Sequence, residues 1–435
     1  MTEVHVSHEP VAFGFELRRR RTATGWSLTR LSMAVHYSKG HLSKVETGLK
    51  RPTPELARLC DAALGADGAL AALVPPGAGT GTPAADEPRP DEEVWIMQWD
   101  SDGSFRLAAV DRRRALALGA TCLLATAAGE GRAAASPADS GLLDASRSLF
   151  DQYRRLGQTA APGTLVPPLV AQAQALRDVA IRSVAAARPG LLVLASRYAE
   201  FAGWMAQEAG NDRAALWLTR RAVDLAEAGG DRHLATYALA RQALISFYAG
   251  DAASTIALAG RAAGTTGAPP RIRGLAAQQE AQGHALAGDH TSCMRRLETA
   301  RALLAADAGD PSLPVIGSSN LADPVSMATG WSLYDLGRPQ EAAEILDAET
   351  ARLPGHSVRN QVRYGMRRAL SHAAAGNVEH ACSVAKALLG PTSLVESATV
   401  RSDVRRLTRL LGRHSSLSAV REITPHLTAA LHPTA

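Results

Sequence analysis

A short turn built on glycine recurs five times between residues 209 and 377, and it constrains the fold more than any other feature of the sequence. In most copies the glycine follows alanine and precedes aspartate or asparagine; the glycines are Gly210, Gly250, Gly288, Gly337 and Gly376. Their spacings are 40, 38, 49 and 39 residues. Glycine at a positive φ can end one helix, and the short polar residue after it can cap the next helix. Residues 141–431 are therefore predicted to form a repeated array of helical hairpins.

Two columns of small residues align on these glycines. The positions seven residues before and five residues after each turn glycine are Gly203, Ala243, Ala281, Gly330, Ala369, Ala215, Thr255, Cys293, Ala342 and Ala381. Small side chains at a contact allow two helices to approach closely. The longest interval contains a Pro- and Gly-rich stretch at 307–324, which predicts a loop insertion.

Composition supports a helical fold. The hydrophobic fraction is 46%, but aromatic residues make up only 4% of the chain. Small apolar side chains at this density suit helices better than a sheet core, which favours aromatic and β-branched residues. We therefore expect an all-α protein, and its 435 residues are too many for one ordinary domain.

The turn and the two small columns resemble the tetratricopeptide-repeat family, in which antiparallel helix pairs stack into a superhelix. The spacing here exceeds that family's period of about 34 residues, and the family's Trp and Tyr positions are mostly unfilled. The resemblance implies an α-solenoid whose groove is lined by the first helix of each pair. The family geometry implies that eleven side chains line this effector groove, and they are Arg197, Phe201, Trp204, Tyr237, Arg241, Gln278, Gln279, Gln282, Trp331, Arg363 and Arg367.

Two interpretations of these groove residues stay open. Aromatics, amides and arginines in one groove suit a peptide or another amphipathic effector, with an arginine holding a carboxylate. Alternatively, Trp204 and Trp331 belong to the core between repeats.

Five short helical signals occupy residues 11–74. Ser27 and Ser38 are suited to cap the second and third helices, Gly48 to end the third, and Pro54 to start the fourth. The apolar positions of these helices predict the core: Phe13, Leu17, Leu28, Leu31, Val35, Leu42, Val45, Leu56, Leu59 and Leu64.

The stretch from Tyr37 to Gly48, YSKGHLSKVETG, follows a tight turn after the second helix. With the five short helices, it resembles the lambda-repressor-like (xenobiotic-response-element, XRE) helix-turn-helix family over residues 11–74. That resemblance implies a DNA-binding domain whose third helix enters the major groove. The second helix lacks the Gln that many members carry near its start, and Thr29 or Arg30 is the alternative there.

The same resemblance implies which side chains contact DNA. Lys39, His41 and Lys44 are the base-contacting residues, with the two lysines roughly on one face and able to donate to guanine. Phosphate contacts are assigned to nearby hydroxyl groups and cations, namely Ser27, Ser38, Ser43, Lys50, Arg51, Arg18 and Arg19. The arginine run could instead be a solvated face, and Glu46 is expected to anchor the domain internally.

The region between the two domains has two parts. Residues 75–93 are rich in Pro, Gly and acidic residues and predict a flexible linker. Residues 94–140 form an intermediate segment with an apolar run at 115–128. This run is shorter than the roughly 20 residues that span a bilayer. We expect a short buried helix and no stable membrane insertion, with membrane association as the alternative.

Helix-turn-helix and tetratricopeptide-like repeats in one chain resemble effector-sensing regulators of Gram-positive bacteria and actinobacteria, some of which are quorum-sensing receptors of signal peptides. The resemblance implies a cytoplasmic homodimer that binds double-stranded operator DNA and a peptide or small-molecule effector. The alternative is a protein-interaction scaffold in which DNA binding is secondary.

The sequence contains no recognisable catalytic motif. The cysteines Cys60, Cys122, Cys293 and Cys382 lie far apart, which argues against a zinc site or a disulfide framework. The glycines of 77–81 lack the strand and the Lys-Ser/Thr ending of a phosphate loop. We expect no enzyme activity, no cofactor and no metal, and the polar residues 1–20 do not predict a signal peptide.

Overall fold

The chain divides into two units, Met1–Arg89 and Pro90–Ala435. The computed structural model describes residues 10–35, 37, 39–47, 52, 54–66, 68–74, 93–99, 105–111, 137–183, 186–309, 315–317 and 320–431. Apart from one β-hairpin, the regular structure in these residues is helical. The predicted all-α fold class is confirmed, and the β-hairpin is the one departure from it in these residues.

The smaller unit contains the five predicted helices, and they are α1 (Pro10–Ala23), α2 (Leu28–Val35), α3 (Lys39–Glu46), α4 (Pro54–Leu64) and α5 (Ala69–Ala72). The hydroxyl of Ser27 accepts a hydrogen bond from the backbone N–H of Arg30 at 3.1 Å and so caps α2.

The core of this unit contains eight of the ten predicted residues, and Ala57, Cys60, Ala66, Leu70 and Val74 join them. Leu59 is 37% exposed and Leu28 is only half-buried, while the thiol of Cys60 is buried. Side chains four positions apart share a helix face. α4 therefore turns Leu56, Cys60 and Leu64 inward, and this leaves Leu59 at the surface.

Two antiparallel strands, β1 (Glu93–Trp99) and β2 (Phe105–Asp111), form a hairpin that the sequence did not predict. A two-stranded ribbon is marginal by itself, so its stability comes from helices far along the chain. Trp95 and Phe105 are buried, and the Gln174 side-chain amide donates to the Trp95 carbonyl oxygen at 2.9 Å. Of the predicted linker, only Glu93 is described; residues 75–92 and the apolar run 115–128 lie outside the described residues.

Helices fill the rest of the larger unit. They are α6 (Pro137–Leu156), α7 (Pro162–Arg182), α8 (Arg188–Glu208), α9 (Asp212–Ala228), α10 (Leu234–Tyr248), α11 (Ala252–Ala263), α12 (Pro270–Leu286), α13 (His290–Ala305), α14 (Pro324–Asp335), α15 (Pro339–Ala351), α16 (Val358–Ala374), α17 (Val378–Val395), α18 (Ala398–Leu411) and α19 (Ser418–Leu431). No helix in the described part of the chain combines the length and the apolarity that a membrane crossing requires.

Five helical hairpins turn at the five predicted glycines, between α8 and α9, α10 and α11, α12 and α13, α14 and α15, and α16 and α17. Each of these glycines has a φ between +75° and +90°, a conformation that other residues rarely adopt. Asn211, Asp251 and Asp289 cap the helix that follows through their side chains. Arg338 and Asn377 stand in the same place without a side-chain cap bond.

The small-residue columns lie inside these hairpins. All ten residues of the two columns are buried, and each hairpin also packs against the next along the chain. The interval with the predicted insertion is a loop between α13 and α14 wherever it is described. The larger unit is thus an α-solenoid of helical hairpins.

Ala342→Leu is expected to lower the free energy of unfolding by about 1–3 kcal/mol, because extra methyl groups must enter a closely packed helix contact. Ala342 is fully buried on α15. The control is Ala348→Leu, which makes the same change at an exposed position of the same helix. Urea unfolding of the full chain measures both variants, and equal effects would contradict the packing role of the column.

Candidate functional site

The third helix of the smaller unit carries the candidate DNA-binding face. Leu42 and Val45 are fully buried and fix α3 in the core, while Lys39, Ser43 and Lys44 are exposed on its other side. Five residues correspond to about 140° of rotation on an α-helix. Lys39 and Lys44 therefore flank Ser43 instead of sharing one line, which corrects the expectation of a common face.

His41, the third predicted base-contacting residue, differs from the two lysines. Its side chain is half-buried, and its ring packs edge-on against Tyr37 with a centroid distance of 5.0 Å. Ser27 is an α2 cap, as described above, and Arg30 lies over the Trp26 ring at 4.4 Å. The predicted phosphate contacts Ser38, Lys50 and Arg51 lie outside the described residues.

The arginine run of α1 is mostly engaged within the domain. Arg19 and Arg20 both bond to Glu16 at 2.6 Å, and these hydrogen bonds lower the pKa of Glu16 to about 2. Arg21 makes two bonds to the buried Glu46, at 2.6 and 2.9 Å. Glu46 is thus the internal anchor that the sequence predicted, and it ties the end of α3 to α1. Arg18 is exposed.

Gly14 holds α1 close to the end of α3. A Cβ at this position would overlap the backbone oxygen of Val45 and lie 3.0 Å from that of Glu46. The sequence analysis did not single out this glycine, because its partner lies on another helix. The contact helps to set the position of the candidate DNA-binding helix.

Gly14→Ala is expected to destabilise the smaller unit by about 1–3 kcal/mol, because backbone atoms must move to admit the methyl group. Hydrogen–deuterium exchange by mass spectrometry measures this as faster exchange confined to residues 10–74. Gly141→Ala is the matched control, since a Cβ there meets no atom within 4 Å. Unchanged exchange in α1 and α3 would show that the close approach is not limiting.

A cavity lies within the larger unit and is the second candidate site. The space open to the centres of water-sized molecules is about 190 Å³. Its wall draws on the first helix of all five hairpins, α8, α10, α12, α14 and α16, together with α6 and the loop between α13 and α14. Nine of the eleven predicted groove residues line it: Phe201, Trp204, Tyr237, Arg241, Gln278, Gln279, Gln282, Trp331 and Arg363.

The other two predicted groove residues lie elsewhere. Arg197 is buried against Asp231, with an Nη2–Oδ2 distance of 2.6 Å. Arg367 bonds to Asp403 at 2.7 Å and stacks on the Trp331 ring at 3.7 Å, behind the cavity wall. Both arginines therefore have structural partners, and we remove them from the candidate site.

Aromatic side chains form much of the wall. Phe201 and Trp204 lie with ring centroids 5.5 Å apart, and Trp331 contacts Tyr248 at 5.8 Å and Tyr364 at 6.4 Å. Trp331 is almost fully buried and also packs on Phe247, so it belongs both to the core and to the cavity. Burial raises the pKa of Tyr248 to about 12, which keeps this phenol uncharged at neutral pH.

Arginines of the wall have partners within the protein. Arg241 donates to the Gln207 side chain at 3.0 Å and lies 3.6 Å from Glu200. Arg154 donates to two carbonyl oxygens of residues 315–317, at 2.6 and 3.0 Å. Arg271 donates to a third carbonyl there at 2.7 Å. The last two arginines thus fasten the inserted loop over the cavity.

A buried ion cluster joins the first hairpin to the fifth. Glu208, at the end of α8, bonds to Arg363 of α16, and Arg359 lies 3.5 Å away. Ser397 donates to the same carboxylate at 2.6 Å and Thr399 at 3.2 Å. The array therefore curls until its first and fifth hairpins meet, and the predicted groove residues line a cavity inside this curl.

Several polar atoms of the cavity wall lack partners. In the part of the chain that the structure describes, the amide groups of Gln158, Gln278, Gln279, Gln282 and Asn360 each have a buried atom without a hydrogen-bond partner. The indole N–H of Trp331 is in the same state. Buried polar groups are normally satisfied, so this concentration makes the cavity wall a candidate binding surface.

Sequence reasoning missed several wall residues. Glu200 lies in the same repeat column as Gln278, ten residues before a turn glycine, so the column itself carries the signal. Glu208 and Tyr248 each lie two residues before a turn glycine, a column that was not considered. Arg154 precedes the repeats, and no local pattern places it near them.

One group of three described residues has metal-ligand chemistry. The ligand atoms of Asp347, His372 and His380 lie within 4.8 Å of one another. Arg368 bonds to the same Asp347 oxygen that lies 3.1 Å from His372 Nε2. This guanidinium already neutralises the carboxylate that a cation would need, and we assign the group to an ion-pair network.

Comparison with known proteins agrees with the geometry of the smaller unit. Residues 12–74 match the family model described as a helix-turn-helix domain. No curated protein and no solved structure matches the chain. The chain therefore carries an N-terminal helix-turn-helix domain followed by an α-solenoid.

Proposed function

We propose that the protein is a sequence-specific DNA-binding transcriptional regulator controlled by an effector in the solenoid cavity. The observation that carries the proposal is the helix-turn-helix domain at 12–74, whose third helix exposes Lys39, Ser43 and Lys44. In this arrangement base-edge contacts give specificity, and contacts to phosphates give position and affinity.

The regulator acts in the cytoplasm. It is a homodimer, because one helix-turn-helix reads only half of a two-fold symmetric site. Its solenoid serves as a tetratricopeptide-like sensory and dimerisation domain. Effector binding changes operator affinity only if the two DNA-binding states of the dimer bind the effector differently. The unpartnered polar atoms of the cavity wall support an effector at that position.

Selection from random DNA duplexes with the full chain tests this function. We expect one enriched motif with two half-sites whose centres lie about 34–36 Å apart, or a multiple of that distance. Uniform recovery of all sequences at physiological salt would contradict it. That result would favour a protein-interaction scaffold instead.

Arg18→Ala is expected to weaken binding to selected and random duplexes by a similar factor, because phosphate contacts carry no sequence information. The slope of log affinity against log salt should fall in magnitude by about one. Arg19→Ala is the control, and its effect should be smaller because Glu16 already neutralises that guanidinium. A loss confined to the selected sequence would place Arg18 on base edges.

A further inference from the structure

Charged side chains of the cavity wall are already paired. In the described wall, Glu200 faces Arg241 and Glu208 bonds to Arg363. The two remaining arginines hold the carbonyl oxygens of residues 315–317. A charged molecule would compete with these contacts, and any charged group that it displaced would be left buried without its partner, which is unfavourable.

Most of the unpartnered buried atoms of the described wall belong to uncharged side chains; the exceptions are the Nε atoms of Arg241 and Arg363, whose guanidinium groups bond to Gln207 and Glu208 through their other nitrogens. Gln278, Gln279 and Gln282 follow one another along the cavity face of α12, and each has an unpartnered buried amide oxygen. Trp331 Nε1 and Asn360 Nδ2 are unpartnered donors on the other helices. An amide supplies both donors and acceptors, so this set complements a molecule with uncharged donors and acceptors of its own.

Aromatic side chains form another part of the wall. Phe201, Trp204 and Tyr237 present aromatic surface to the same space that the glutamines face. Aromatic rings favour offset or edge-on contact with another planar group. The wall therefore combines aromatic surface with amide groups around one space.

Enclosure limits the size of the occupant. The inserted loop forms part of the wall and is fastened by two arginines, and the Glu208 cluster closes the array between its first and fifth hairpins. An extended peptide needs a groove from which both chain ends can leave. A cavity bounded in this way by the inserted loop and the Glu208 cluster suits a compact molecule better than an extended chain.

We propose that the cavity binds a compact, planar and uncharged molecule that carries amide-type donors and acceptors. The regulatory consequence of this binding rests on the proposed function, but the binding itself does not. The charge of the occupant is the feature that separates this proposal from a carboxylate or signal-peptide effector.

Three probes of nearly equal shape test the charge. Benzamide is neutral, benzoate is an anion and benzamidine is a cation at neutral pH. Saturation-transfer NMR with the full chain should show benzamide binding with a Kd on the order of 1 mM, as expected for so small a molecule. Benzoate and benzamidine should bind at least tenfold more weakly. Tighter binding of either charged probe, or no binding of benzamide, overturns the proposal.

A double variant locates the site. Gln278→Leu with Gln282→Leu removes two of the amides at similar volume and should weaken benzamide binding at least tenfold. Gln340→Leu is the control, since Gln340 is exposed on α15 away from the cavity. Equal benzamide binding by the double variant and the control overturns the cavity assignment. If the double variant does not fold, the comparison of the three probes on the unaltered chain still decides the ligand class.

Operator affinity with and without benzamide is measured separately on the same preparation. Benzamide binding with unchanged operator affinity would support the ligand class and would count against effector control. A chain that selects no operator but still prefers benzamide would refute the proposed function alone. The two proposals can therefore fail independently.

Discussion

Alanine at both Lys39 and Lys44 is expected to weaken binding to the selected operator by a factor between roughly thirty and twenty thousand. Each good base contact contributes about 1–3 kcal/mol of discrimination, and each tenfold change in affinity corresponds to about 1.4 kcal/mol. Both side chains are exposed beside Ser43 on α3, whose opposite face is buried in the core. Truncation therefore removes the contacts and leaves the helix in place.

Fluorescence anisotropy with a labelled operator at fixed salt measures this loss. Lys386→Ala is the matched control, because Lys386 is 66% exposed on α17 and belongs to the larger unit. The chain has only one other lysine, Lys50. Operator affinity within twofold of the unaltered protein, or an equal loss in the control, would show that the two lysines do not read bases.

Glu208→Ala is expected to lower the free energy of unfolding by about 3–5 kcal/mol, the range for removal of one partner from a buried ion pair. Glu208 is 1% exposed and is bonded to Arg363, Ser397 and Thr399. Its loss leaves two arginines buried together without a counter-charge. Urea unfolding of the full chain, followed by circular dichroism, measures the change.

Glu227→Ala is the control for this experiment, since Glu227 is exposed on α9, and its effect should stay within about 0.5 kcal/mol. Acid titration gives a second readout. Burial by itself raises the pKa of Glu208, but Arg363, Arg359 and the Ser397 hydrogen bond more than offset it, so the pKa lies below 4.5. This carboxylate therefore stabilises the fold above pH 4.5, and its contribution is lost as the pH falls through the lowered pKa.

Glu208→Gln removes this titrating carboxylate, so the free energy of unfolding of that variant should fall less as the pH is lowered. If Glu208→Ala costs no more than Glu227→Ala, the cluster does not hold the first and fifth hairpins together.

The sequence predicted the hairpin array well because its determinants are local. A turn glycine and the small residues seven before and five after it lie within one hairpin, so a single pattern specifies both the turn and the close approach of its helices. No such pattern predicts the contact between the first and fifth hairpins. Glu208 and Ser397 are separated by 189 residues, and neither residue type nor spacing indicates that they meet.

The candidate sites show the same difference between local features, which the sequence predicts, and long-range contacts, which it does not. The column positions placed Gln278, Gln279 and Gln282 in one wall, because helical periodicity is visible in sequence. The partners that remove Arg197 and Arg367 from the wall, Asp231 and Asp403, lie on other helices and could not be inferred. The β-hairpin was missed for the same reason, since β1 and β2 pack against α7 and α9, which lie far along the chain.

The Glu208 cluster also limits how this solenoid can fold and evolve. In an open repeat array each unit contacts only its neighbours, so units can be added or lost with little effect on the others. Here the first and fifth hairpins are in contact, and insertion or deletion of one hairpin would separate Glu208 from Arg363 and Ser397. Long-range contacts of this kind raise contact order and slow folding. Addition or loss of one hairpin between Glu208 and Ser397 is therefore expected to cost stability in this solenoid, unlike in an open repeat array.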